Sequence, residues 1–269
     1  MVRRRSKRIA PAKKAGNKTK RHSVLTYLMW GLLALVFALA SLATYQKYKL
    51  MHRPMPKILP ETVRGIDVSH YQEQIDWAAV AAYQPFGNPV RFAFIKATEG
   101  IDIDDEYFEY NFWQARKHGI MRGAYHVLSS KSSVTEQAEH FCNTVNLQDN
   151  DMIPVLDIEG LGDYKPEQLR MAVLRWMNIV EHHYGVIPMI YTSFSFKMNY
   201  LNGPEFARYP YWIAHYYVSK LKYTGEWQFW QFTDVGHVDG IRGYVDMNIY
   251  NGTVEELENI TIKRCRYTK

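Results

Sequence analysis

A regular alternation of strand-like and helix-like segments from residue 63 onward constrains this chain more than any other feature. Residues 63–68 read as a strand and 75–83 as a short helix. Strand 91–97 precedes a helix over 105–118 that Gly119 ends, and strand 120–127 precedes a helix over 134–145. Strand 152–158 precedes a helix over 166–184, in which Leu169, Ala172, Val173, Trp176, Ile179, Val180 and His183 recur at three- and four-residue spacing before Gly185. Residues 186–191 make the fifth strand. After it the helices nearly vanish, and 211–216, 227–232 and 245–250 read as strands joined by loops too short for full crossover helices. Five βα units followed by three strands give eight strands, the number that closes a TIM-like barrel, and the alternation implies a parallel sheet.

Residues 24–43 have a different character. They carry no charge and include Leu25, Leu28, Trp30, Leu32, Leu33, Leu35, Val36, Phe37, Leu39 and Leu42. A helix of this length, rising ~1.5 Å per residue, spans ~30 Å, the thickness of a bilayer's hydrocarbon core. A buried core helix would keep a polar face, and this one has none. Ten of the chain's 33 Lys and Arg residues fall in the first 22 positions, where there is no acid, which leaves 23 bases against 27 acids in the remainder. The formal net charge of +6 therefore belongs to a tail, whereas a nucleic-acid binder carries its charge on the folded domain. Only Lys47, Lys49, Arg53 and Lys57 follow soon after, so the positive-inside rule keeps the N-terminus cytoplasmic and everything after residue 44 outside. Ala38-Leu39-Ala40 resembles a signal-peptidase site, so a secreted form cut after Ala40 stands as the rival to an uncleaved signal anchor.

The expected organisation is a basic cytoplasmic tail (1–23), a transmembrane signal anchor (24–43), a proline-punctuated linker (44–62), an α/β barrel of the (β/α)5(β)3 type (63–252) and a C-terminal tail (253–269). Cys142 and Cys265 fit an exported chain with at most one disulfide. No HExxH, zinc spacing or phosphate-binding glycine loop occurs, so neither a metal nor a cofactor is expected.

In TIM-like barrels the chemistry sits at the C-terminal ends of the strands. Asp67 ends the first strand in Gly65-Ile66-Asp67-Val68-Ser69, Asp157 and Glu159 end the fourth in Leu156-Asp157-Ile158-Glu159, and Asp246 lies on the last in Tyr244-Val245-Asp246-Met247-Asn248. Alternate side chains of a strand share a face, so Asp157 and Glu159 project together. Strands one and eight adjoin in a closed barrel with strand four across the mouth. Four acids converging on one opening raise each other's pKa, a cost that calls for a function.

Several motifs carry a family resemblance. Gly65-Ile66-Asp67-Val68-Ser69-His70-Tyr71-Gln72 with Ile75-Asp76-Trp77 looks like the opening signature of glycoside hydrolase family 25, the Chalaropsis-type lysozymes. Phe94-Ile95-Lys96-Ala97-Thr98-Glu99-Gly100, Gly123-Ala124-Tyr125-His126, Leu156-Asp157-Ile158-Glu159, Ile190-Tyr191-Thr192, Trp212-Ile213-Ala214 and Val245-Asp246-Met247-Asn248 resemble its later motifs in the same order. The resemblance implies an N-acetylmuramidase that cuts the β-1,4 bond between N-acetylmuramic acid and N-acetylglucosamine in peptidoglycan, with the last barrel helices missing. It implies Glu159 as general acid, with Asp157, Asp67 and Asp246 as the surrounding catalytic acids. Two departures stand out: Glu73 where a glycine often follows Tyr-Gln, and Val127 where a phenylalanine often follows Tyr-His.

Asp157 has two candidate roles, as nucleophile or base, or as the group that orients the substrate's 2-acetamido function. The spacing of the pair leaves inverting, retaining and substrate-assisted routes open. Tyr125, Tyr191, Trp212 and Tyr216 lie at or just before strand ends, where rings can stack on sugars, and Lys96 and Gln231 are candidate polar contacts. The expected partners are peptidoglycan glycan strands and, through residues 24–43, a membrane; the chain is expected to be a monomer. Two rival functions are a membrane-anchored wall-binding protein without catalysis and a barrel hydrolase of another amino-sugar polymer.

Overall fold

The computed structural model describes residues 18–51 and 53–263, which form two compact units dividing at Arg53. The basic residues before Lys18 lie outside the described residues, as does Cys265, the partner a disulfide from Cys142 would need. The described part of the first unit is a single helix, α1, Lys18–Met51. Within it Val24–Lys49, 26 residues with a mean hydropathy of 2.1, is long and apolar enough to cross a membrane. The helix continues past residue 43 into the expected linker because no residue from Thr44 to Met51 breaks it; the first breaker is Pro54.

The second unit closes a barrel of eight strands: β1 Arg64–Val68, β2 Val90–Glu99, β4 Met121–Val127, β5 Val155–Asp157, β6 Met189–Ser193, β7 Tyr211–Ala214, β8 Phe229–Gly236 and β9 Val245–Tyr250. A ninth, β3 Ile103–Asp104, pairs only with the end of β2. The barrel closes through β1, which lies parallel to β2 and antiparallel to β9. β9 is also antiparallel to β8, a correction to the wholly parallel sheet expected from the alternation. Loop length is the cause. A parallel return needs a crossover of about a dozen residues or more, and only residues 237–244 separate β8 from β9.

Outside the strands lie α2 Trp77–Ala82, α3 Phe108–Lys117, α4 Val134–Thr144 and α5 Pro166–Tyr184. α5 matches its expected span, with Pro166 in its first turn and Gly185 at φ 71° ending it. The fifth helix, for which the apolar periodicity supplied no segment, is the short α6, Phe194–Tyr200, capped by the Ser193 hydroxyl. Two strands are displaced by prolines, which lack the N–H a ladder needs. β5 begins after Pro154 instead of at 152, and β6 after Pro188 instead of at 186.

Two apolar layers result. Between strands and helices pack Trp77, Phe141, Trp176 and Val180, all buried. Inside the barrel Phe94 stacks on Trp212 at 4.5 Å, while Phe229 meets Phe92 and Phe94 edge-on, each at 5.0 Å. Glycines make room for these rings: a Cβ on Gly65 would stand 2.3 Å from Phe92, and one on Gly123 2.7 Å from Phe94. Past β9, α7 (Val254–Leu257) buries Leu257, and Thr261 pairs with Met152 at the end of the barrel away from the acids. The aromatic filling thus makes a solid floor under the open end.

Candidate active site

Asp67, the penultimate residue of β1, pairs directly with Asp246 across the β1–β9 ladder. Asp246 is the second residue of its strand, and because β9 runs backwards its beginning is what reaches the mouth. Asp157 closes β5, and Glu159 stands two residues on, the path between them held by the Ile158 N–H donating to the Tyr191 carbonyl at 3.0 Å. The fold thereby brings all four expected acids to one end.

Their environments differ. Asp67 is buried and its Oδ2 accepts from Gln231 Nε2 at 2.8 Å and Asn248 Nδ2 at 2.7 Å. Burial pushes its carboxyl up to about 7 against the pull of those two donors, and the charge of Glu159 adds to the rise. Asp246 is raised further, to about 9, by burial and then by Asp67, Asp234 and Glu159, since no donor offsets them. Asp157 is held well above the carboxylate range by burial and by Glu159 and Asp67, with Lys96 opposing. Its Oδ1 is buried and accepts no hydrogen bond from the protein. Glu159 is the most open of the four, at the rim, and desolvation against the cleft wall raises it too.

Below the acids lies a network that sequence reasoning did not assign. Trp212 Nε1 donates to Asn248 Oδ1 at 2.7 Å, and an indole N–H can only donate, so the Asn248 amide must turn its NH2 toward Asp67. The Tyr191 and Tyr216 hydroxyls both donate to Gln231 Oε1 at 2.6 Å, which turns the Gln231 NH2 to the same carboxylate oxygen. Gln231 and Trp212, expected to touch substrate, are 2% and 1% exposed and instead hold Asp67 in place. Tyr191 is buried as well, and Tyr216 is only half-buried. Asn248 was missed, although its place two residues from Asp246 on one strand put it on the same face.

Lys96 Nζ donates to Glu99 Oε2 at 2.6 Å, forming an ion pair beside Asp157 rather than a free cation for substrate. The β2–β4 register slips between Lys96 and Thr98, an irregularity of the kind that re-aims side chains at barrel rims. Tyr125 is buried edge-on to Trp212. A cavity of about 260 Å3 opens beside Asp157 and Glu159, walled by Ser130, Tyr164 and Val127, the valine that stands in a frequent phenylalanine position. Behind that wall His126, fully buried, takes the Thr98 hydroxyl at 2.7 Å on Nδ1 and Gln137 Oε1 at 3.2 Å on Nε2. Burial lowers this histidine to about 4, so it stays neutral, with its Nε2 proton on Gln137 and Nδ1 accepting from Thr98. Gln137 in turn fixes the backbone of Ser129 and Ser132, which tie down the loop that forms the cavity wall.

Comparison with known proteins agrees with this arrangement. Residues 66–241 match the family model of glycosyl hydrolases family 25. The uncharacterized protein YegX of Escherichia coli strain K12 is 46% identical over 198 residues, covering 73% of this chain and 72% of its own length. Lysozyme M1 of Streptomyces globisporus is 36% identical over 213 residues, covering 72% and 70%. The crystal structure of a bacterial lysozyme from Streptomyces coelicolor superposes with a TM-score of 0.68 at 33% identity, covering 74% of this chain and 96% of that one. The match spans Asp67, Asp157 and Glu159, and on it the chain belongs to glycosyl hydrolases family 25 and is a glycoside hydrolase.

Proposed function

We propose that the protein is an N-acetylmuramidase, held at a membrane by α1 with its barrel outside the cytoplasm, that hydrolyses the β-1,4 bond between N-acetylmuramic acid and N-acetylglucosamine in peptidoglycan. The observation that carries the reading is the contrast within one pair: Glu159 open at the rim, Asp157 buried with an oxygen that has no partner in the protein. A proton donor must reach the glycosidic oxygen, which suits the open Glu159, and desolvation favours its protonated form. A buried carboxylate oxygen lacking a donor suits a substrate N–H, which favours the second of the two roles open to Asp157.

In the step that follows, Glu159 gives its proton to the leaving oxygen as the C1–O bond breaks. The carbonyl oxygen of the substrate's own 2-acetamido group forms the new bond to C1, and Asp157 Oδ1 accepts the acetamido N–H as positive charge develops. Water, losing a proton to Glu159, then opens the cyclic intermediate from the opposite face, so the anomeric configuration is retained. Asp67, fixed by Gln231 and Asn248, and Asp246 line the cleft beside the pair as polar walls, their burial favouring the protonated carboxyl.

The test is the full chain in detergent acting on purified peptidoglycan. New reducing ends of N-acetylmuramic acid are expected, and Glu159→Gln is expected to lower kcat by ~10²–10⁴. Reducing N-acetylglucosamine ends, or a Glu159→Gln rate within tenfold of the parent, would overturn the bond or the acid respectively. Binding without any release would return the function to wall attachment.

A further inference from the structure

We infer that Tyr71 and Tyr244 form an aromatic platform that extends the cleft and binds further sugar rings of an amino-sugar glycan strand. The inference rests on the glycan-hydrolase reading above and adds a second stretch of binding surface to that site. The observation behind it is an unusual pairing of exposure and rigidity. Tyr71 is 80% exposed and Tyr244 59%, among the most open aromatic side chains of the barrel unit. Both follow or precede a catalytic acid closely in the chain, Tyr71 after Asp67 and Tyr244 before Asp246, so they rise from the same end as the cleft.

Neither ring sits on a loose loop. Ser69 and Gln72 cap the 3₁₀ turn at His70–Gln72 reciprocally, the Gln72 Oε1 taking the Ser69 N–H at 3.0 Å. Gln72 Nε2 donates to the Tyr244 carbonyl at 3.1 Å, so one side chain locks the two ring-bearing segments together. The His70 N–H donates to Asp105 Oδ2 at 2.7 Å. Glu73, the departure from a frequent glycine, has φ 54° and ψ −146°, a conformation close to one nearly confined to glycine. Three contacts hold it there: its N–H donates to the His70 carbonyl at 3.0 Å, Asn111 Nδ2 donates to its carbonyl at 2.9 Å, and Arg242 reaches its carboxylate at 3.6 Å from the β8–β9 loop.

The neighbouring imidazoles complete two ring pairs. His70 and Tyr71 have centroids 4.1 Å apart, and His237 and Tyr244 5.0 Å apart, one pair on each side of the Gln72 bridge. Folding does not explain an exposed ring on a strained, fully braced turn, because the ring buries almost nothing. A flat apolar face presented without conformational cost is what stacking on a pyranose ring needs. Continuity with the acids selects the occupant: Tyr71 and Tyr244 lie four and two residues from Asp67 and Asp246, so a strand lying across those acids along β1 and β9 would reach this rim.

Binding of peptide-free peptidoglycan glycan strands by the full chain separates the possibilities. In a Glu159→Gln background, so that the strand survives, Tyr71→Ala with Tyr244→Ala is expected to weaken Kd about tenfold, and the double Phe variant to restore it. In the active protein the same Ala pair should cost long strands more kcat/KM than the shortest hydrolysed oligosaccharide. A Kd within twofold of the parent overturns the platform, whatever other surface the rings then serve. Ring-dependent binding by a parent protein that releases no sugar ends leaves the platform standing and overturns the hydrolase. No binding by the Glu159→Gln protein removes both.

Discussion

At the residue scale, the cleft works against the fold. An aspartate that stays protonated in the folded chain but ionises when unfolded makes the folded state bind more protons, so stability falls as pH rises. Asp67 spans the interval from the ordinary carboxylate range to about 7 and Asp246 to about 9. The stability these two groups contribute is therefore full near pH 4 and is lost as pH rises toward 9. Asp246→Asn, which cannot ionise, is expected to raise stability by about 1–2 kcal/mol at pH 8, with no gain near pH 4, while activity falls. Thermal melts at the two pH values check this, and an equal gain at both would refute the burial account. Glu73 carries strain of another kind. Glu73→Gly should relieve it at the cost of some unfolded-state entropy, for a net gain of about 1 kcal/mol in a denaturant titration; a loss would mean that the Asn111 and Arg242 contacts outweigh the strain. The acids themselves were legible in the sequence, because a strand's period of two assigns faces. The clamp on Asp67 was not, since Gln231 and Asn248 meet it only through the registers of β1, β8 and β9.

At the scale of elements, the barrel depends on glycines that let rings lie across its interior. Gly123→Ala would drive a methyl into Phe94, which has Trp212 stacked behind it and Phe229 at its edge, so the ring cannot retreat. The expected loss is about 1–3 kcal/mol of stability, read by urea unfolding; a cost under about 0.5 kcal/mol would mean the interior is looser than described. Long periodic segments such as α5 could be read from sequence because their apolar stripe repeats over several turns. α6 could not: seven residues give barely two turns, and its Phe and Ser positions also fit a loop. The direction of β9 was likewise hidden, since apolar alternation looks the same read either way. Only the short approach from β8 fixes it.

For the whole molecule, composition was informative once the charge was divided along the chain. The uncharged stretch after the basic residues lies within α1, which is long and apolar enough to cross a membrane. The full chain is expected in the membrane fraction of cells and to resist alkaline carbonate extraction, whereas a chain beginning at Pro54 is expected in the soluble fraction. N-terminal sequencing of the mature protein checks for a cut after Ala40, and recovery of the full chain in the wash would remove the anchor. The antiparallel β9 has one more consequence. β1 enters the barrel at the closed end, and β9, by running backwards, delivers the chain to that same end, where Thr261 meets Met152. Both points of attachment thus lie behind the working face. A group joined directly before β1 or after Thr261 would therefore start at the end of the barrel away from the mouth.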